Sequence, residues 1–362
     1  MSPDLSAWDL LVDRAELSRT ELVEVAAPDP DEGDVLLRVD RVGMTANNVT
    51  YAVMGDLMGY WGFFPAPERD GTAWGRVPLW GFAEVERSTV PDVAEGTRLY
   101  GYLPTSSHLV VRPDRIDGHG FRDASPHRLH LPSAYHKFVT TTADPAYDPE
   151  LEDLQVLYRP LFVTSFMLAD FLLDHDCFGA EVAVLSSASA KTTYGAAFLL
   201  GDSVHRVGLT SAANRAFTES LGCYDEVRTY DEIEELEQRP TVYVDVAGDA
   251  PLRRRVHERV RPVHTAVVGA AHHDAPQDAV DEELPGARPE FFFAPDQMRK
   301  RRTDWGPHGV EEGHAAAWER FAPVVADWVD VEVGHGPEGL RAAWLETLAG
   351  ATPPRTGLVI QL

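Results

Sequence analysis

The chain has 362 residues, 44% of them hydrophobic and 25% charged, with a formal net charge of −26 at pH 7. That length suggests two ordinary domains, each able to bury a core, and that charge repels nucleic-acid phosphates and anionic membrane surfaces. Its two cysteines, Cys177 and Cys223, are too few for a disulfide framework or a Cys-rich zinc site, and no H-E-x-x-H spacing occurs among the histidines, so no metal site is expected.

The first residues, Met1 to Asp9, carry no basic segment followed by an apolar one, and no uninterrupted apolar run approaches the roughly 20 residues needed to cross a bilayer. A cytoplasmic protein without membrane contact is expected. Residues 8 to about 45 read as β, with Leu22–Val25 and Asp34–Val42 separated by a turn-rich stretch of Pro, Asp and Gly. Next come Asn47, Asn48, Thr50 and Tyr51, then the rings of Tyr60, Trp61, Phe63 and Phe64, which suit a core or the wall of an apolar pocket equally. Short strands continue through Val77–Glu86, Arg98–Tyr102 and Ser107–Pro113. From Arg115 to Asp153 the pattern loosens into a connection containing Tyr135, His136 and Lys137.

Helical periodicity covers Leu154–Leu173 and leads into the apolar strand Val182–Leu185. After it, strands at Val204–Leu209, Glu226–Tyr230, Thr241–Val246 and His264–Gly269 alternate with helices at Ala212–Leu221, Ile233–Gln238 and Ala250–Val260. Such alternation implies a parallel, doubly wound sheet. The chain closes with a basic cluster Arg299–Arg302, helices at Ala315–Trp328 and Gly336–Ala349, and a strand within Pro353–Leu362.

The stretch that organises the chain follows Val182–Leu185. Small residues Ser186, Ser187, Ser189 and Ala190 make a turn, and Lys191 and Thr192 open a helix. A strand, a tight turn and a helix N-terminus form a phosphate-binding unit in dinucleotide sites. The glycines that usually let the backbone approach the pyrophosphate are absent here, so hydroxyls would share the work with N–H groups. Lys191 opposes the helix dipole, a conflict an anion would remove. It is also one of only three lysines, with Lys137 and Lys300, in a chain that otherwise uses arginine. A P-loop reading of Lys191–Thr192 lacks both of its required glycines.

A β-rich N-terminal domain, a doubly wound domain and a closing strand after a late helix resemble the medium-chain dehydrogenase/reductase superfamily. The likeness is to its zinc-free quinone-oxidoreductase and enoyl-reductase side, within a branch of unknown function. The resemblance implies an α/β fold with a GroES-like domain over 1–153, completed by about 325–362, and a Rossmann-like nucleotide-binding domain over 154–324. It places Asn48 and Tyr51 near the reaction cleft. Ser186, Ser187, Ser189, Lys191 and Thr192 would meet the pyrophosphate. Ala247 and Gly248, and Gly269 and His272 with His273, would follow the fourth and fifth strands and line the nicotinamide. Thr210, Ser211 and Arg215 stand where an acidic residue would select NAD, and a hydroxyl with an arginine suits the 2′-phosphate of NADP.

The expectation is a zinc-independent NADP(H)-dependent reductase of an apolar, carbonyl-containing substrate such as an enone. Tyr51 is the candidate proton donor, Asn48 orients the substrate oxygen, and homodimerisation follows by analogy. His136 is a weaker candidate. The alternative is a cofactor-free descendant of the scaffold doing carbonyl proton-transfer or carbon–carbon lyase chemistry with Lys191 or the tyrosines, or only binding a ligand.

Overall fold

The structure is a computed structural model that describes residues 7–268, 283–306 and 308–362. Contacts divide these residues into two units, one reaching up to Leu157 and resuming at Val329–Leu362, the other lying within Tyr158–Trp328.

The first unit opens with β1 (Ala7–Asp13), β2 (Thr20–Val25) and β3 (Val35–Met44), followed by helix α1 (Ala46–Val53). Then come β4 (Trp74–Gly75), β5 (Leu79–Ser88), β6 (Arg98–Leu103), β7 (His108–Val111), β8 (Pro113–Asp117), β9 (Gly120–Asp123) and β10 (Lys137–Thr140). Strands β2, β1 and β4 form a small antiparallel sheet. In β3 the residues Val35, Leu36, Leu37 and Val39 are all buried, so the strand starts as a continuous apolar run, buried on both faces. The three last strands occupy the stretch expected to be a connection. They are short and polar, so alternation is too weak to announce them.

The second unit carries most of helix α2 (Glu152–Asp174), then β11 (Val182–Leu185), α3 (Lys191–Leu200), β12 (His205–Thr210), α4 (Arg215–Ser220), β13 (Glu226–Thr229), β14 (Thr241–Asp245), α5 (Ala250–Val260), β15 (His264–Val267), β16 (Pro289–Phe291), α6 (Ala294–Trp305) and α7 (Gly309–Ala326). All its strand pairings are parallel, in the order β13-β12-β11-β14-β15-β16. The doubly wound sheet expected from the alternation is there. Its order reverses between β11 and β14, which makes the carboxyl ends of those two strands the topological switch point. The core on it is built from Val182, Val184, Leu209, Tyr243 and Val256.

By length and composition the helical stretch Pro149–Asp174 is apolar enough to cross a membrane, contrary to the expectation from the sequence, but half of its apolar window is buried inside the protein. Its far end is also charged and tied down: Asp170 and Asp174 pair with Arg301, and Asp174 with Lys300. The basic cluster of α6 is therefore an ion-paired face, with Arg299 on Asp296 and Arg302 on Glu311.

The chain then returns to the first unit with β17 (Asp330–His335), α8 (Gly336–Leu348) and β18 (Thr356–Gln361). The last strand pairs antiparallel with β3 and so joins a nine-stranded sheet ordered β17-β18-β3-β5-β6-β10-β9-β8, with β7 also on β3. Leu340 and Trp344 of α8 are fully buried in this unit's core, and the Trp344 indole N–H donates to the Leu17 carbonyl at 2.9 Å.

Candidate active site

In the first unit the candidate residues gather on α1 and on the rings that follow it. Asn48 is buried at the start of the helix. Its Oδ1 accepts from the Thr45 N–H at 2.8 Å in a capping box, and its Nδ2 donates to the Pro78 carbonyl at 2.9 Å. Those bonds use the carboxamide locally. The amide beside the Tyr51 hydroxyl is instead Asn47, whose Nδ2 donates to it at 2.7 Å. Both residues lie within reach of Tyr51 by helix spacing, i,i+4 for Asn47 and i,i+3 for Asn48, but the Asn48 carboxamide is spent on the capping box and the Pro78 carbonyl.

Tyr51 is 5% exposed. Its oxygen also accepts from the Trp80 indole N–H at 3.1 Å, so the hydroxyl has two donors on its lone pairs and its own proton left to give. Burial pushes its pKa well up, against the smaller opposing pull of those two bonds. The phenol therefore stays neutral at any ordinary pH. Around it stand Tyr60, Tyr102 and Tyr135, at ring distances of 4.7, 5.5 and 6.3 Å. The hydroxyls of Tyr60 and Tyr135 bond each other at 3.2 Å. Phe63 packs edge-on against Tyr102, and the Trp80 ring lies 4.9 Å from it.

A buried ion pair underpins this cluster. Arg128 and Asp123 are both about 1% exposed and bond each other. The guanidinium also covers the rings of Phe63 and Phe64 at 5.3 and 5.1 Å and donates to the Tyr135 carbonyl at 3.3 Å. His136, next in the chain, is buried against Phe63, and burial lowers its pKa so that it stays neutral. A cleft of about 380 Å³ beside the loop 55–66 is walled by Trp61, Trp74, His130 and Leu131, enough for a small ligand.

In the second unit the Ser/Lys turn sits at the carboxyl end of β11. Ser187 has a left-handed backbone, φ 52°, the conformation a glycine would take freely and other residues at about 1 kcal/mol or more. Three side chains hold the turn. The Tyr230 hydroxyl accepts from the Ser187 N–H at 3.2 Å, the Tyr224 hydroxyl donates to the Ala188 carbonyl at 2.9 Å, and Asn214 donates to the Ser189 hydroxyl at 3.1 Å. Gly208 on β12 is required beneath it, because a Cβ there would lie 2.9 Å from that of Ala188.

Ser186 is fully buried and faces inward. Its Oγ accepts from the N–H groups of Val246 and Ala247, each at 3.1 Å, and reaches Asp245 at 3.3 Å. Asp245 in turn accepts from Gly248 N–H at 3.0 Å and from buried Arg253 at 2.7 Å. Ser186 thus ties the turn to Ala247 and Gly248 and offers nothing outward. Ser187, Ser189, Lys191 and Thr192 are partly exposed.

The Lys191 ammonium lies over the Tyr158 ring, 5.8 Å from its centre, and burial pulls its pKa down to about 8. Below the lysine the hydroxyls of Tyr158 and Tyr194 bond each other. At the end of β12, Thr210 is buried and Ser211 half-buried. Arg215 bonds Glu219 at 2.8 Å and Glu232 at 2.9 Å, so the cation expected to face a 2′-phosphate already holds two carboxylates. Gly269, His272 and His273 lie outside the described residues. Among those described, no three His, Cys, Asp or Glu side chains come together as metal ligands would.

Sequence reasoning missed Asn47, Trp80, Tyr224 and Tyr230 as supporting residues. The spacing of 47 to 51 was a usable signal. For the other three only the tertiary fold brings the partners together.

This pair of architectures, with the switch point at β11 and β14, is the fold of the enoyl and quinone reductases of the medium-chain dehydrogenase/reductase superfamily. CurA from Vibrio vulnificus, solved in complex with NADPH, superposes with a TM-score of 0.60 at 12% identity over 98% of each chain. The CurK enoyl reductase gives 0.55 at 13% identity, covering 98% of this chain and 99% of that one. The quinone oxidoreductase from Thermus thermophilus, solved with and without NADPH, gives 0.55 at 15% identity, covering 98% and 100%. Residues 42–353 match the family described as "Protein of unknown function (DUF2855)", and the chain belongs to it. No curated protein matches the chain.

Proposed function

We propose that the protein is an NADPH-dependent reductase of an α,β-unsaturated or other carbonyl compound. The observation that carries the reading is the position of the Ser/Lys turn at the switch point of a parallel sheet, where open α/β sheets bind their ligands. A dinucleotide fits what lies there: helix N–H groups, the hydroxyls of Ser187, Ser189 and Thr192, and one cation in Lys191, all partly exposed. NADPH would supply the hydride. Lys191 would neutralise pyrophosphate charge, and Thr210, Ser211 and Arg215 would meet the adenosine end, with Arg215 turning from its carboxylates toward the 2′-phosphate. Ala247, whose N–H bonds the Ser186 hydroxyl, and Gly248, whose N–H bonds Asp245, follow β14, the other strand of the switch point.

The Tyr51 hydroxyl donates its proton to the substrate while the Asn47 and Trp80 N–H groups stabilise the oxygen left behind. The surrounding rings favour an apolar substrate. We read the protein as a homodimer by analogy with its fold relatives, to be checked by light scattering. The test of the reaction is NADPH consumption over a panel of enones and aldehydes; a panel without turnover in protein that binds NADPH would sink the reductase assignment.

A second reading, carbonyl chemistry without a dinucleotide, is favoured by the low pKa of Lys191. An amine near 8 is partly neutral at physiological pH and can attack a carbonyl. Borohydride trapping of a ketone on Lys191, in protein that ignores NADPH, would select it.

A further inference from the structure

The four phenols of the first unit present an imbalance that Tyr51 alone does not explain. A phenol carries one proton to donate and lone pairs to accept. Tyr60 and Tyr135 use one proton between them in their mutual bond. Tyr51 accepts twice, from Asn47 and Trp80, and gives nothing back. Tyr102 is fully buried, and its hydroxyl has no hydrogen-bond partner among the described residues. Three of the four phenol protons thus have no acceptor among the described residues, one left by the Tyr60–Tyr135 pair and one each on Tyr51 and Tyr102, and the groups aimed at Tyr51 are themselves donors. Buried polar groups are nearly always paired, so such a surplus calls for an acceptor from outside.

The donors of Tyr51 and Tyr102 belong together. Tyr102 lies on β6 directly across from Trp80 on β5, and Trp80 is the residue that holds the Tyr51 oxygen. The rings of Tyr51 and Tyr102 meet edge to face at 5.5 Å. Repulsion between would-be phenolates on these neighbours adds to burial in raising the pKa of Tyr102, with Tyr51 the largest such contributor. Both groups therefore remain protonated donors. Trp80 and Tyr135 stay partly exposed and form the rim.

We propose that the Tyr51 and Tyr102 hydroxyls are a paired-donor site for one oxygen of a conjugated carbonyl compound, and for the enolate-type oxyanion it becomes, held among the rings of Tyr60, Phe63, Trp80 and Tyr135. The proposal deepens the reductase reading and rests on its choice of Tyr51. The chemistry of selection is simple: a site of donors without acceptors favours an oxygen with lone pairs and no proton, and favours it more as negative charge develops. The aromatic walls accept a planar, conjugated body. Tyr102 is then a substrate-contacting residue beyond Tyr51.

The test uses the full chain without dinucleotide and para-nitrophenol as probe, whose visible absorbance separates the anion from the neutral phenol. The bound probe should ionise at least about one pH unit below the free probe, a tenfold bias toward the anion. Para-nitroanisole, of similar shape but with no oxyanion, should bind much more weakly. Tyr102→Phe should lower the anion's affinity about five- to tenfold, and Tyr51→Phe by at least as much, at unchanged circular dichroism. Equal binding of the anisole and the phenol, or a probe held in its neutral form, overturns the proposal even if neither variant folds. Unchanged affinity in folded Tyr102→Phe overturns the role of Tyr102. Because no dinucleotide is present, a failure here is distinct from failure to bind NADPH, and the reverse holds too.

Discussion

Lys191 makes NADPH binding depend on pH in a direction that can be worked out beforehand. In the free protein burial holds its ammonium at about 8, well below the usual lysine value near 10.4. Phosphate charge beside it would favour the protonated form and move the pKa back up. The bound state therefore carries more protons than the free state between those two values, and binding must take a proton up. In the protein without ligand Lys191 is about 90% charged at pH 7 and about 10% at pH 9, so affinity should fall about tenfold across that range, near 1.4 kcal/mol. Proton uptake should rise from about 0.1 per NADPH at pH 7 toward about 0.9 at pH 9. The phosphates do not confuse the result, because their second ionisation lies near pH 6. Calorimetry at each pH in two buffers of different ionisation enthalpy measures both quantities. Lys191→Arg keeps the charge and should flatten the profile, and Lys191→Ala should weaken binding at pH 7 and flatten it too. An affinity in the native protein that is constant from pH 7 to 9, or an arginine variant with the native profile, would refute the placement of phosphate at this lysine.

Further outcomes follow from the same geometry. Arg215→Ala should reduce the preference for NADPH over NADH, read as the ratio of the two dissociation constants; an unchanged ratio removes Arg215 from the 2′-phosphate, leaving it as the ion-pair partner of Glu219 and Glu232. Tyr51→Phe should lower turnover by about a hundredfold or more while leaving NADPH affinity intact, and full activity would end its role as proton donor. Arg128→Met strands the buried Asp123 carboxylate and should destabilise the first unit by about 3–5 kcal/mol in denaturant titration. A loss below about 1 kcal/mol would mean that the Asp123–Arg128 pair does not hold the ring cluster.

The turn was legible because its signals are local: an apolar run, small residues, then Lys191 at a helix start. Its supports were not, since Tyr224 and Tyr230 reach Ala188 and Ser187 from 36 and 43 residues away. The pairing of Arg215 with Glu219 could be read from i,i+4 spacing, whereas Glu232 arrives through the capping of the segment after β13. Helix spacing alone admits both Asn47 and Asn48 beside Tyr51, and only the capping role of Asn48 and its bond to Pro78, a tertiary contact, leave Asn47 as the partner. The strands β8 to β10 carry too few apolar residues to stand out, and α6 has little apolar face because much of its hold on α2 is polar, through Gln297 and Arg301 on Asp170. The rings after α1 were visible as a cluster. What the sequence could not say was which hydroxyls would find partners, and that depends on the register of Trp80 against Tyr102.

The central claim is that this glycine-poor turn grips a dinucleotide. Calorimetric titration of the purified protein with NADPH and NADH, after mass spectrometry has shown the protein empty, tests it most directly. Micromolar NADPH binding with weaker NADH binding is the predicted result. No binding of either would contradict the account and make the turn a dinucleotide site that has lost its ligand.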